Sequence, residues 1–412
     1  MPSKRVLEIL AFLVPLCRFL EINLVGRLYI NEILLGVLLP WLLYTRGGLL
    51  RKFVPLTVVS LLGIWLVGQI GTDVIRQTDF IDFARGWSKI IFMALNFCAI
   101  YLIVYRSRRR IILFAIGSAL GGILYYFFTT DPNVKAIPWQ LGYGESVSWL
   151  ILIAGVLFPY HGKWPWVIGT LSLLAASILN FYMGYRSLGG VLFLAACCLS
   201  YQGLEKRPKA DGRLGIRKSL GIGVLTIVSA WASLSLYTYA AEHSWLGPTE
   251  QSRVQAQSNG KYGLLIGGRF EIIVSSIAIE KSPIIGYGSW AKDCDYARLY
   301  DKLKEEAGYS SGNWENCVIP SHSYLMGAWI ETGIIGALTW LMLALIPLLS
   351  LLRVHISRDR LAALVLFASL WMFWNMLFSP FAGAARFTVP FLAIMMLAHL
   401  PNPKRISFKK QP

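Results

Sequence analysis

The sequence predicts an all-α, polytopic membrane protein of about twelve transmembrane helices, with one long, ordered helical loop on the outer side. Three observations carry that prediction. Of the 412 residues, 56% are hydrophobic and only 15% charged. The apolar residues form continuous runs, among them Val54 to Gly71, Ile111 to Phe128 and Leu361 to Phe378, close to the roughly 20 residues that cross a ~30 Å hydrocarbon core as a helix. Continuity argues against a β-barrel, whose strands alternate apolar and polar positions. The formal charge of +17 gathers in every second gap between the runs, where 23 of the 39 Lys and Arg lie. That alternation reads as a topology signal rather than a nucleic-acid surface, and the positive-inside rule places those gaps and both chain ends in the cytoplasm.

Taken in order, the spans fall at about 6–25, 28–44, 54–71, 87–105, 111–129, 145–160, 166–183, 188–203, 220–240, 322–352, 361–378 and 388–400. The first carries Glu8, Arg18 and Glu21 and lacks a small-residue cleavage site, so it reads as a retained span rather than a signal peptide. Arg46, Arg51 and Lys52 follow the second span, Arg106 and Arg108 to Arg110 the fourth, Lys163 the sixth, Lys206 to Lys218 the eighth and Arg353 to Arg360 the tenth. Residues 1–240 therefore hold spans one to nine, 241–321 the outer loop, and 322–412 spans ten to twelve with a cytoplasmic tail. In a bacterial inner membrane the outer side is the periplasm.

The outer loop is neither low-complexity nor purely polar. Phe270, Ile273, Val274, Ile277 and Ala278 recur at helical spacing behind Gly267 and Gly268, which predicts an amphipathic helix. Tyr296, Leu299, Tyr300 and Leu303 predict a second, interleaved with Asp301, Lys302, Glu305 and Glu306 at ion-pair spacing. A loop of this length with apolar periodicity reads as a folded, functional cap. It also carries Cys294 and Cys317, which an oxidising compartment would join as a disulfide. Cys17, Cys98, Cys197 and Cys198 sit in apolar runs and read as small buried hydrophobes.

Several chemistries lack their residues. The stretch GRLGIRKS at 212–219 has Arg217 where a P-loop needs glycine, and no His and Cys cluster has zinc spacing. Asp79 and Asp82 form a DxxD in an outer loop, read as solvated charges rather than a metal site. What the outer face does offer is cations at membrane depth, where charge is costly. Arg186 in GYRSLGG serves either as a snorkelling anchor or as part of a site. Arg269 in IGGRFE and Arg386 in AGAARF are the other two. Together the three would bind an anionic group at the lipid boundary, because a guanidinium donates two parallel hydrogen bonds to phosphate.

The chain returns to the membrane through PSHSYLMGAWIETGIIG, residues 320–336. Pro320 and Ser321 read as the helix start with Ser321 as cap, which places His322 in the first turn. Glu331 lies nine residues on, roughly 13 Å deeper in a regular helix, and reads as a structural hydrogen-bonding group.

A GR pair, then P-x-x-G-x-G (Pro283, Gly286, Gly288), then H-x-x-Y-L-x-x-x-x-E-x-G-x-x-G resembles the O-antigen ligase and polymerase superfamily. Ser323 stands where Asn often follows the His, and Ile273 where a Trp often follows the Arg. The resemblance implies a multi-spanning glycosyltransferase that moves an oligosaccharide from undecaprenyl pyrophosphate to the lipid A-core. On this reading Arg186, Arg269 and Arg386 bind the pyrophosphate, His322 is the general base, and Tyr324 and Glu331 support it. No cofactor or metal is implied. A polymerase, a protein O-oligosaccharyltransferase and, from another class, a lipid-linked glycan transporter are the alternatives.

Overall fold

The computed structural model describes residues 3–23, 25–158, 165–204, 269–306, 316–353, 359–381 and 383–399, with isolated positions between 220 and 243. In chain order the helices are α1 (Lys4–Leu16), α2 (Ile30–Arg46), α3 (Phe53–Arg76), α4 (Phe80–Val104), α5 (Arg108–Phe128), α6 (Pro132–Ala136), α7 (Gly144–Leu157), α8 (Pro165–Tyr182) and α9 (Arg186–Gly203). They continue as α10 (Phe270–Lys281), α11 (Cys294–Glu306), α12 (Tyr324–Thr332), α13 (Ile334–Arg353), α14 (Ala362–Phe378) and α15 (Ala385–His399). Among the described residues, seven helical stretches are long and apolar enough to cross a membrane, and α14 and α15 are shorter apolar helices. The protein is a helical membrane protein. The expected span at 220–240 lies outside the continuously described residues.

Two expectations are corrected. The fold is all-α as expected, but the first span at 6–25 is not one helix: α1 stops at Leu16, and after a 3-10 turn a short antiparallel hairpin pairs β1 (Glu21–Asn23) with β2 (Arg27–Tyr29). The polar ends of this segment explain the early stop, since Glu21 accepts from Tyr125 while Arg27 reaches Asp131 at 2.5 Å. Nor is 322–352 one helix. It breaks at Gly333, whose φ of 63° and ψ of −149° lie in a region essentially restricted to glycine.

Two helices form the centre. The second half of α4, from Asn96 to Val104, is almost wholly buried and packs against α2, α3 and α15. From Ala362 to Met372, α14 is buried all round and touches α9, α13 and α15. A helix apolar on every face belongs in such a position. Lipid tails give apolar helices no reason to prefer each other, so close fit must hold them together. The Gly117 and Gly121 pair shows it: a Cβ at Gly121 would lie 2.7 Å from the Pro15 carbonyl oxygen, so α1 lies directly on α5.

The cap is a small unit of its own, with Phe270, Val274, Ala278, Tyr300 and Ile319 as its core. Residues 291–293 pair with 317–319 through Asp293 N–H to Cys317 O at 2.7 Å and Ile319 N–H to Ala291 O at 2.9 Å. A disulfide joins Cys294 to Cys317, their Cα atoms 4.4 Å apart.

Candidate functional site

The two glycine motifs prove to be one lock between cap and membrane. At the Gly333 break the carbonyls of Ile330 and Glu331 lose their helical partners, and the cap loop supplies replacements: Tyr287 N–H donates to Ile330 O at 2.7 Å and Gly288 N–H to Glu331 O at 3.1 Å. Buried backbone groups need such partners. A Cβ on Gly286, at φ 82°, would lie 2.6 Å from Gly333 N, so the two chains can approach only as glycines.

Side chains from α3 and α4 complete the lock. Buried Asp73 accepts from Ser289 N–H at 2.6 Å, Ser289 Oγ at 2.7 Å and Trp87 Nε1 at 2.7 Å. Arg76 donates to Gly286 O and to Ser282 Oγ, each at 2.8 Å. Lys292 pairs with Asp82 at 2.5 Å, and Lys89 pairs with Glu331. Asp82 is therefore a partner of the cap, and Glu331 is tied to α4.

Against this fixed cap, the last two turns of α14 touch Arg269 and the immediate chain neighbours of Arg186 and His322. Tyr185, next to Arg186 at the start of α9, sets its ring edge-on to Trp371, 6.3 Å between centroids. Arg269, just ahead of α10, lies over Trp374 at 5.4 Å and Phe378 at 4.7 Å and donates to Phe378 O at 3.4 Å. Burial there pulls the guanidinium below its ordinary pKa, yet arginine stays charged. Ser323 Oγ donates to Met376 O at 2.8 Å and accepts from Met326 N–H at 3.1 Å, capping α12. Trp371 to Phe378 spans about 10 Å of helix.

The cap residue is thus Ser323 rather than Ser321, and His322 precedes the helix instead of standing in its first turn. Its ring is more than half exposed, and Nδ1 lies 3.7 Å from Glu271 Oε1. That same oxygen accepts a hydrogen bond from Tyr300 at 2.6 Å. The Tyr300 phenol is pushed well above its ordinary value by burial and by the Glu271 carboxylate. Glu271 was missed in the sequence although it stands two residues from Arg269 in GRFE; its signal was a carboxylate at the start of an amphipathic helix facing a conspicuous histidine.

Two expected members stand apart. Tyr324 is buried among Trp340 and Phe381, at 5.1 and 5.2 Å, and shapes the wall beneath the cap. Arg386 is corrected from an open anion ligand to a buried ion pair: its Nε and Nη2 meet the two Glu32 oxygens at 2.5 and 2.6 Å. Asn96 also donates to Glu32, at 3.3 Å. The guanidinium fork is filled by this carboxylate.

The site thus holds Arg269 and the Glu271–His322 pair near one helix end, with the start of α9, which carries Arg186, packed on Trp371 about two turns away, an arrangement able to hold an anionic leaving group and to take a proton beside it. No protein-family model, curated protein or solved structure matches this chain.

Proposed function

We propose that this chain is a glycosyltransferase of the O-antigen ligase and polymerase superfamily, acting in a bacterial inner membrane. The observation that carries the proposal is Arg269 on the last turn of α14 with His322 facing Glu271 close by, beneath a cap; Arg186 joins them on this reading. On this reading the chain crosses the membrane twelve times, with both ends in the cytoplasm and the cap in the periplasm. The Cys294–Cys317 disulfide supports the cap's placement, because such bonds persist in oxidising compartments.

The donor is a polysaccharide on undecaprenyl pyrophosphate and the acceptor is a hydroxyl of lipid A-core. Donor and acceptor both reach the site from the lipid. Arg186 and Arg269 hold the pyrophosphate and stabilise its growing charge as it departs with the electron pair of the broken C1–O bond. His322 takes the proton of the acceptor hydroxyl as its oxygen bonds to C1 from the opposite face, inverting that carbon. The donor carries its own leaving group, so no nucleotide is consumed, and arginines stand where clustered carboxylates would hold a metal.

Purified protein mixed with lipid-linked glycan and lipid A-core, without nucleotide or divalent metal, should yield the joined product. Transport of the lipid-linked glycan across vesicles with no joined product would favour the transporter. For topology, a reporter active only in the periplasm should work when fused after Lys261 and be silent after Lys209; the reverse pattern would sink the twelve-span arrangement.

A further inference from the structure

We propose that Glu271, held by Tyr300, is the positioning residue that aims His322. The inference rests on the reading of His322 as the general base. Three elements meet here: Glu271 in the first turn of α10, Tyr300 in α11, and His322 in the extended stretch before α12. They are kept in place independently of one another. Phe270 and Val274 bury one face of α10 in the cap core, the disulfide fixes the start of α11 five residues ahead of His322, and Ser323 is tied to α14.

The geometry gives each group a task. Glu271 is largely buried, 12% exposed in its side chain, and a buried carboxylate needs partners. Tyr300 occupies one lone pair of Oε1 at 2.6 Å. The Nδ1 of His322 faces the same oxygen at 3.7 Å, too far for a hydrogen bond but within reach of one after a small ring rotation. Catalytic hydrogen bonds are often long before substrate arrives. With its proton on Nδ1 and turned to Glu271, the ring leaves Nε2 with its lone pair open to the acceptor hydroxyl. Once Nε2 has taken the proton, the adjacent carboxylate stabilises the imidazolium.

The test has one arm that needs no turnover. At about pH 8, above the ordinary histidine pKa of about 6.5, diethyl pyrocarbonate acylates neutral imidazole, and peptide mass spectrometry reads each ring. His243, exposed and bonded through its ring to Tyr239 O, serves as the internal reference. Glu271→Gln keeps an oxygen for Tyr300 but loses the charge, and should slow His322 acylation about threefold to tenfold relative to His243. Glu271→Asp should recover part of the rate. An unchanged ratio in Glu271→Gln overturns the proposal.

The second arm is a double-substitution cycle on single-turnover transfer. Glu271→Gln alone should lower the rate about tenfold or more with donor affinity unchanged, and should cost nothing further in a His322→Ala background. Full additivity of the two losses also overturns the proposal. Near-normal transfer by His322→Ala would instead end the general-base reading, while the acylation ratio would still decide whether Glu271 orients the ring.

Discussion

Arg386→Met separates a structural arginine from a substrate arginine. In the parent, Arg386 meets both oxygens of Glu32, and Glu32 is fully buried. The substitution leaves that carboxylate with Tyr29 N–H at 3.1 Å and Asn96 Nδ2 at 3.3 Å, but with no countercharge from α15. Breaking one side of a buried pair costs about 3–5 kcal/mol, because the remaining charge is stranded in a medium that cannot solvate it. That is a factor of about 10² to 10⁴ in the folded-to-unfolded ratio. Titrating purified protein from a mild to a denaturing detergent should show the midpoint fall sharply in Arg386→Met. Glu32→Gln combined with Arg386→Met should recover part of the loss, since the charge is gone, while the amide oxygen replaces only one of the two carboxylate oxygens that accept from Tyr29 N–H and Asn96 Nδ2. Donor affinity of the folded double variant should match the parent. A stable Arg386→Met protein that has lost donor affinity about tenfold or more would refute the argument and return Arg386 to the binding site.

Gly333→Ala should open the lock between cap and membrane, costing at least about 3 kcal/mol: the backbone region alone is worth 1–3 kcal/mol, and the new Cβ would also displace the Ile284 carbonyl that accepts from Ile334 N–H. Accelerated proteolysis of the cap checks it, and parental resistance would contradict it. Reducing Cys294–Cys317, 23 residues apart, should cost the cap about 3 kcal/mol, read as faster amide exchange at Ala291 to Asp293; unchanged exchange would contradict it. For alkaline pH the sign follows from the raised Tyr300 phenol. The stability it contributes is complete below the ordinary tyrosine value of about 10 and is lost as pH rises through its higher folded value. The cap should therefore loosen above about pH 10 in the parent and less steeply in Tyr300→Phe, measured by amide exchange.

How much of this was legible follows from the range of each interaction. Apolar runs marked α3, α5, α8, α9 and α14 to within a few residues, and period alone found α10 and α11, because helix formation and burial of one face are local properties. The Gly333 break was hidden inside one apolar run. Only the cap loop, some fifty residues upstream, makes a broken helix favourable there, by giving its carbonyls new donors. The cap at Ser323 was missed for a similar reason, since two serines flank His322 and the tie to Met376 O chooses between them. Pairings across the chain were invisible as pairs, yet each left half a signal. Glu32 in INEILLG is a carboxylate within an apolar run and required a cation at its depth; its partner proved to be Arg386, 354 residues away. Asp73, Lys89 and Glu331 were likewise charges in apolar surroundings, and all three serve the cap. Arg269, which lies on the end of α14, stood out because nothing nearby in sequence explained it.

The claim at the centre of this account is a division of labour at the end of α14, and it is tested most directly by measuring donor affinity and single-turnover transfer together for His322→Ala, Arg186→Ala and Arg269→Ala. If the account holds, His322→Ala binds the lipid-linked donor as the parent does and loses about 10²- to 10⁴-fold in transfer, whereas both arginine variants lose donor affinity as well as rate. Near-normal turnover by His322→Ala, or a loss confined to donor binding, would contradict it.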